Sequence, residues 1–427
     1  MPTASSGSKR GGGAPPAPPR PRILAVGRAL PEHWADQETL IAAFRGAWAG
    51  AHFNVERLEQ LHRAVQVSGR YLALPLAAYR DLTSFARRND AWIAAATDLG
   101  ERAVREALRR AGLAPADVGH LVFVTTTGIA TPSIDARLVN RLGLPLGVRR
   151  SPLFGLGCAG GAAGLARAAD ILCAHPAEVA VVLSVELCSL TLQRDDVSIP
   201  NIISSGLFGD GAAAVVLQAT DREEGVLDSV LGCDAEGRAT LRIRGFGCGY
   251  ANQGVTYGDT LWDFDGPQIF KRAVRGMSES SAKVMAKCGV TAEQVDLCIP
   301  HQANLRIIEG VAKYAGVPME KVMLTVQRYG NMSAATVPVA LVEALEEGRI
   351  RPGATLLMPA FGAGLTFCSL LVRWGERITP IRVLNDEHAP PTKSALEMVN
   401  EIRANQDPHH RSLAGLMAPT FAEAHAG

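Results

Sequence analysis

The chain lacks the features that mark several large classes of protein. It has no apolar run long enough to cross a membrane, and its net charge of +1 gives no electrostatic footprint for nucleic acid. Its eight cysteines show no C-x-x-C spacing, which argues against a zinc site or a disulfide framework and favours reduced thiols. The start of the chain has no apolar signal core. We therefore expect a cytoplasmic protein without a transmembrane segment or a nucleic-acid partner.

One sequence pattern occurs twice in the chain. Segments 112–124 and 289–301 each begin with glycine, place valine six residues later and continue as an apolar run. Further on, Gly157-Cys158 in the first copy corresponds to Gly330-Asn331 in the second. A length of 427 residues is too great for one ordinary domain, and a duplicated unit explains it.

Short apolar runs alternate with helical patterns along most of the chain. The runs are uninterrupted enough to be strands buried on both faces, which predicts a layered α/β architecture with two similar halves. The predicted helices include residues 92–111, 159–173, 305–315 and 334–347. The domain boundaries that we predict are a disordered segment 1–21, an N-terminal half 22–220, a C-terminal half 221–375 and a flexible tail 376–427.

Cys158 is the candidate nucleophile. It follows Gly155 and Gly157 and precedes a run of small residues, at a point where a strand is expected to turn into a helix. Glycines permit a tight turn and the close approach of a substrate. A thiol at a helix N-terminus feels the positive end of the dipole, which favours the nucleophilic thiolate. The alternative, a buried apolar cysteine, is our interpretation of Cys173 and Cys188.

His301 and Asn331 are the candidate partners of Cys158. His301 ends a strand-like run, and Asn331 follows a glycine. Each has a purely local alternative, because a histidine can be a buried polar group and asparagine is a favoured helix N-cap. A neutral histidine and an asparagine amide are also both hydrogen-bond donors. Two donors aimed at one thioester oxygen would stabilise an enolate as a carboxylate leaves.

The motif Phe361-Gly-Ala-Gly-Leu-Thr predicts a glycine-rich turn after a strand. It lacks the Gly-Lys-Ser/Thr of a phosphate loop. Its backbone at Gly362, Ala363 and Gly364 can approach an acyl group, and the Ala363 N–H is a candidate partner of the Cys158 N–H in an oxyanion hole. A close-packed strand end is the alternative.

These motifs resemble those of the thiolase-fold condensing enzymes over residues 22–375. The first half is similar to the chalcone-synthase-type (type III) polyketide synthases in segments 125–135, 155–168, 185–191 and 207–214. The second half is similar to ketoacyl-carrier-protein synthase III in segments 265–274, 299–308, 328–335 and 361–366.

The resemblance implies an α/β thiolase-like fold, with two duplicated βαβαβ-type halves in α-β-α-β-α layers. It also implies an acyltransferase that performs a decarboxylative Claisen condensation. Cys158 would take an acyl group from a CoA starter, while His301 and Asn331 would assist decarboxylation of malonyl-CoA or a malonyl-carrier protein. Phe208 matches the family's gatekeeping phenylalanine. Such enzymes are typically homodimers that need no metal or redox cofactor.

Residues 305–315 form an amphipathic pattern with Arg306 and Lys313 on its polar side. In synthase III enzymes, the matching basic residues help to dock an acidic acyl carrier protein, whereas a solvated helix face is the alternative interpretation.

Several functions stay open from the sequence. An iterative polyketide synthase is one, and a single-step synthase III of fatty-acid initiation is another. A non-catalytic acyl-binding subunit is disfavoured because all three candidate catalytic residues are present. A degradative thiolase is disfavoured because residues 362–364 contain no second cysteine.

Overall fold

The computed structural model describes residues 19–49, 54–193, 196, 198–243 and 262–376. The predicted tail, apart from Glu376, and residues 1–18 of the predicted disordered segment 1–21 lie outside the described residues. Arg20 and Pro21, at the end of that predicted segment, instead begin the first strand.

The described chain alternates between strands and helices along its length. Its strands are β1 Arg20–Ala29, β2 His33–Asp36, β3 Gly69–Leu72, β4 Val118–Thr125, β5 Arg149–Phe154, β6 Val179–Leu187, β7 Asp210–Thr220, β8 Gly225–Cys233, β9 Leu241–Ile243, β10 Trp262–Phe264, β11 Leu297–Cys298, β12 Thr355–Gly362 and β13 Thr366–Arg373. Its α-helices are α1 Gln37–Ala49, α2 Val55–Ala64, α3 Phe85–Ala111, α4 Ile134–Leu142, α5 Gly160–Ala174, α6 Ile199–Leu207, α7 Gly266–Lys287, α8 Leu305–Ala315, α9 Val326–Tyr329 and α10 Thr336–Glu346.

Two sheets repeat the same topology. The first has the order β1-β7-β6-β4-β5, in which β4 is parallel to β5 and β6 while the other pairs are antiparallel. The second has the order β8-β13-β12-β11, with the same sequence of strand directions. A parallel bridge between Cys298 and Val322 lies where the first sheet has β5. The predicted duplication is therefore present in the fold.

The two sheets enclose a central helical layer. Helix α5 contacts strands of both sheets and also α10. The small residues of α5 permit this close packing against α10. A Cβ added at Gly161 would lie 2.1 Å from the carbonyl oxygen of Ala334, which is too close for any side chain. Helix α3 covers the outer face of the first sheet, and α7 with α8 covers the second. The predicted order of α-β-α-β-α layers is confirmed.

The predicted helices are largely those that the structure contains. The helix at 305–315 has the predicted bounds, and α5 begins one residue later than expected. The helix predicted from Ala334 begins at Thr336 instead, because Ser333–Ala335 form a 3-10 turn that starts at a φ of 45°. Among the residues that the structure describes, every helix is too short or too polar to span a bilayer.

Candidate active site

Cys158 lies in the turn between β5 and α5. The turn Gly157–Ala159 is a 3-10 helix that leads directly into α5, so the predicted strand–turn–helix context is present. Gly157 has a φ of +56°, and a Cβ at this position would lie 2.6 Å from the Ala363 backbone nitrogen. Glycine is therefore required here both for the backbone conformation and for the close approach of a second chain segment.

The end of β12 packs against the Cys158 turn. A Cβ on Gly362 would lie 2.3 Å from the Leu156 carbonyl oxygen and 2.8 Å from the Cys158 backbone nitrogen. The backbone amides of Cys158 and Ala363 thus belong to neighbouring segments, as an oxyanion hole needs. Gly364 lies farther along the turn, with its carbonyl oxygen 3.7 Å from the Cys233 thiol.

Asn331 is held next to Cys158 from the other half of the fold. Its Oδ1 is 4.0 Å from the Cys158 sulphur and accepts a 2.8 Å hydrogen bond from the Ser333 N–H. Its backbone pairs with both neighbours of Phe208, donating to the Leu207 carbonyl at 2.9 Å and accepting from the Gly209 N–H at 3.0 Å. Both contacts are made by Oδ1, the acceptor atom of the amide, so the Nδ2 donors are not used by either of them.

His301 is almost completely buried, with 1% of its surface exposed. Its backbone N–H donates to the Pro359 carbonyl of β12 at 2.8 Å, and its Nδ1 lies 2.6 Å from the Thr336 hydroxyl oxygen. Burial lowers the pKa of His301 to about 3. The imidazole is therefore neutral at physiological pH, the state that the sequence analysis assumed.

The protonation state of Cys158 differs from the sequence prediction. The residue is only partly exposed, and burial raises the pKa of its thiol to about 12, with a further increase from the Glu186 carboxylate. The interaction with Ser333 acts in the opposite direction but is smaller. Burial thus opposes the predicted preference for the thiolate in the resting site.

Glu186 is a component of the site that sequence reasoning missed. It is fully buried, and its carboxylate accepts hydrogen bonds from the backbone of Thr126, Thr127 and Ala334, at 3.0, 3.2 and 3.3 Å. Burial raises the pKa of Glu186 to about 7. The available signal was its position as the sole charged residue of the apolar strand β6.

A cavity of about 910 Å³ lies beside the site on the N-terminal half. Phe208 and Cys188 are among its lining residues, and the Cys188 thiol is 3.9 Å from the Asn331 carbonyl oxygen, whereas Cys158, His301 and Asn331 do not line the cavity. Apolar residues from α1, β3 and the following turn line much of the remainder: Leu40, Ala42, Ala43, Phe44, Leu72, Leu76 and Ala77.

Arg306 and Lys313 both lie on the exposed side of α8. The opposite side of the helix is buried, including Ile308, Ala312 and Ala315, so the predicted division into faces is confirmed. The docking role of Arg306 and Lys313 stays a prediction.

Two family models match the chain, one in each half. The N-terminal domain of chalcone and stilbene synthases matches residues 14–221, and the C-terminal region of 3-oxoacyl-[acyl-carrier-protein] synthase III matches residues 285–374. The split resemblance in the sequence is thereby confirmed.

Individual proteins give the same result. A beta-ketoacyl-[acyl-carrier-protein] synthase III of Vibrio cholerae is 35% identical over 81% of this chain and 97% of its own length. The 1,3,6,8-tetrahydroxynaphthalene synthase of Streptomyces peucetius is 34% identical over 82% of this chain and 93% of its own length. The crystal structure of 3-oxoacyl-(acyl carrier protein) synthase III from Pseudomonas aeruginosa aligns with a TM-score of 0.68 at 30% identity, over 84% of this chain and all of that one. With its duplicated layers and the cysteine at the start of the central helix, the chain belongs to the thiolase-fold condensing enzymes, as an acyltransferase related to both ketoacyl synthase III and the type III polyketide synthases.

Proposed function

We propose that this enzyme condenses a CoA-bound acyl starter with a malonyl thioester through Cys158, His301 and Asn331. The observation that carries the proposal is the placement of the Asn331 side chain beside Cys158 and the Gly362–Ala363 turn, with Asn331 Oδ1 4.0 Å from the Cys158 sulphur. A nucleophile, an asparagine side chain and two backbone amides therefore lie close together between the two halves.

In the first step, Cys158 takes the acyl group. Its sulphur forms a bond to the thioester carbonyl carbon while the bond from that carbon to the CoA sulphur breaks, and the proton of the thiol ends on the released CoA. The backbone N–H groups of Cys158 and Ala363 stabilise the oxyanion that forms on the way. Because the resting thiol is protonated, the loss of this proton contributes to the barrier of the step.

In the second step, the malonyl thioester loses carbon dioxide. The electron pair of the broken carbon–carboxylate bond moves into an enolate, whose oxygen accepts hydrogen bonds from Asn331 Nδ2 and His301 Nε2. The enolate carbon then forms a bond to the acyl carbonyl carbon while the bond from that carbon to the Cys158 sulphur breaks, and the released sulphur takes up a proton from solvent, which restores the thiol. Both substrates are thioesters, and the proposed steps need neither a metal ion nor a redox cofactor.

The product distinguishes a single condensation from iterative extension. The test is to incubate the enzyme with malonyl-CoA and a panel of acyl-CoA starters, with and without acyl carrier protein, and to determine product masses. A product one acetyl unit longer than the starter indicates single-step synthase III chemistry, whereas products longer by several units indicate a polyketide synthase. Failure to release carbon dioxide with any starter would contradict the proposal.

We further propose that the starter carries an apolar acyl chain, because of the cavity behind Phe208. Its volume of about 910 Å³ is at the upper end of the range that drug-sized ligands occupy. Its lining residue Cys188 contacts the Asn331 carbonyl oxygen at 3.9 Å, and in this proposal a chain attached to Cys158 extends past Phe208 toward Leu40 and Phe44. Burying each methylene of such a chain contributes about 0.8 kcal/mol.

A larger side chain in this cavity is expected to shorten the accepted starter. Ala77→Phe should lower kcat/KM for long acyl-CoA starters by about tenfold or more while short starters react normally, because a hydrophobic pocket discriminates by fit. The measurement is kcat/KM across a series of chain lengths. Ala78→Phe is the matched control, since Ala78 is adjacent in the chain but does not line the cavity. Equal losses for all chain lengths would contradict the assignment.

We propose an acyl carrier protein as a partner at the exposed side of α8. Arg306 and Lys313 are exposed there. The neighbouring helix α7 packs closely against α8 at Gly310, where an added Cβ would lie 2.9 Å from the Val274 side chain. Helix α7 also exposes Lys271 and Arg275. This group of cations is complementary to an acidic protein surface.

Charge reversal at Arg306 tests this docking surface. Arg306→Glu should lower kcat/KM with a malonyl-carrier protein several-fold and leave turnover of malonyl-CoA nearly unchanged, because surface charge acts mainly on encounter and orientation. Both substrates are measured at one ionic strength. Arg351→Glu is the control, because Arg351 is exposed in the loop before β12, at the opposite end of that strand from Gly362. Equal effects on the two substrates would count against docking.

We also propose a cytoplasmic homodimer. The cysteines that the structure describes are free thiols, as expected in a reducing compartment. Strand β5 is the last strand of the first sheet, and Phe154 at its end is 50% exposed, so pairing with a second copy would cover both. A monomer in sedimentation experiments at micromolar concentration would contradict this proposal.

A further inference from the structure

A hydrogen bond joins the two helices that flank Asn331. Tyr329 is the last residue of α9, and Glu343 belongs to α10, so the chain between them contains Asn331 and the turn that follows it. The Tyr329 hydroxyl donates to Glu343 Oε1 at 2.7 Å, and both side chains are buried. The bond therefore closes a loop of the chain that carries an active-site side chain.

The acceptor of this bond is fixed by charged groups from other elements. Glu343 Oε1 is 3.2 Å from Arg28 Nη1 of β1, and Glu343 Oε2 is 3.1 Å from Arg328 Nη2 of α9. Arg28 also pairs with Glu346 of α10, which pairs in turn with Arg110 of α3 at 3.2 Å. These contacts hold the Glu343 carboxylate in place, because removing one partner of a buried ion pair leaves the other charge uncompensated.

The chain has little freedom between Tyr329 and Asn331. Gly330 is the single residue between them and has a φ of +68°, and a Cβ there would lie 2.5 Å from the Leu207 carbonyl oxygen. A Cβ on Gly209 would lie 2.3 Å from the Tyr329 carbonyl oxygen. The backbone on both sides of Gly330 is thus closely packed, so a shift of Tyr329 is transmitted to Asn331.

We propose that Tyr329 and Glu343 are positioning residues for Asn331, whose hydrogen bond holds the end of α9 so that the Asn331 side chain stays beside Cys158. The consequence for catalysis rests on the proposed function, in which Asn331 donates to the enolate oxygen. Loss of the bond should slow decarboxylation and spare acyl loading, since loading uses the backbone amides of Cys158 and Ala363.

The Tyr329→Phe variant removes the hydroxyl and keeps the ring, which stacks on Tyr71 with 6.2 Å between the ring centroids. It should lower carbon dioxide release by about 10- to 100-fold, because a misplacement of about 1 Å can cost about a hundredfold. Acyl loading of Cys158, followed by intact-protein mass spectrometry, should persist. Loss of loading together with decarboxylation overturns the positioning role, since the hydroxyl would then support the site as a whole.

Glu346→Gln is the matched control for an effect of stability alone. Glu346 belongs to the same group of buried charges, but its ion pairs are with Arg28 and Arg110 and not with Tyr329. The variant should lower the melting temperature and leave carbon dioxide release near the wild-type rate, when both are assayed well below their melting transitions. Losses of carbon dioxide release that follow the melting temperature in both variants overturn the positioning role.

A double variant tests whether Tyr329 acts through Asn331. Tyr329→Phe should have no further effect on carbon dioxide release once Asn331 is alanine, because residues that act through one another are not additive. A second loss of the same size overturns the positioning role. A slow Asn331→Ala enzyme beside a Tyr329→Phe enzyme of wild-type rate overturns the positioning role alone. Wild-type release by Asn331→Ala overturns the part of the proposed function on which the inference rests.

Discussion

Replacing Cys158 with alanine is expected to abolish formation of the acyl-enzyme. The proposed intermediate is a thioester on this sulphur, and no side chain at the start of α5 can replace it, because the residues that follow Cys158 are alanine and glycine. Intact-protein mass spectrometry after incubation with an acyl-CoA should show one added acyl group on the wild-type enzyme and none on Cys158→Ala.

Cys173→Ala is the matched control for this experiment. Cys173 belongs to the same helix but is exposed near its C-terminal end, so its interpretation from the sequence as a buried cysteine is wrong, and its loss should leave loading unchanged. Stoichiometric loading of the Cys158→Ala variant would show that another residue is the nucleophile. Loss of loading in both variants would show that the experiment reports general damage to α5.

The order of layers was predictable because the apolar runs and helical patterns of the sequence follow the strands and helices of the fold. Helix α8 is the clearest example, since Asn304 caps its first turn and Gly316 ends it with a φ of +73°. The start of α3 was missed by seven residues: the helix begins at Phe85, whereas the prediction placed it at Trp92. Its first turns contain Arg88, a buried residue whose guanidinium donates hydrogen bonds to backbone carbonyl groups. Sequence periodicity does not reveal these bonds.

The active site was only partly predictable for a similar reason. Cys158, His301 and Asn331 follow glycines or strand ends, which are local signals. Glu186 and Glu343 acquire their importance from partners that are distant in the chain: Thr126 donates to Glu186, and Arg28 pairs with Glu343. Their environment depends on how the sheets and the two central helices pack, and a single sequence does not contain that information. The raised pKa of the Cys158 thiol was missed on the same ground, since burial is a property of the folded site.

Replacing Asn331 or His301 with alanine is expected to separate the two chemical steps. Each variant should still load an acyl group on Cys158, because the backbone amides of Cys158 and Ala363 stay in place. Each should release carbon dioxide from the malonyl thioester about a hundred- to a thousandfold more slowly, since one donor to a developing oxyanion contributes about 2.7–4 kcal/mol. The measurement is the initial rate of carbon dioxide release, with acyl loading followed in parallel by mass spectrometry.

Surface residues of the same type provide the controls for this pair. His175 and Asn140 are both exposed, so His175→Ala and Asn140→Ala should leave both steps unchanged. If both active-site variants released carbon dioxide at the wild-type rate, their shared role in decarboxylation would be wrong. If instead both lost acyl loading together with decarboxylation, the two side chains would act on Cys158 itself. The Asn331 amide, 4.0 Å from the sulphur, would then serve the acylation step and not the stabilisation of the enolate.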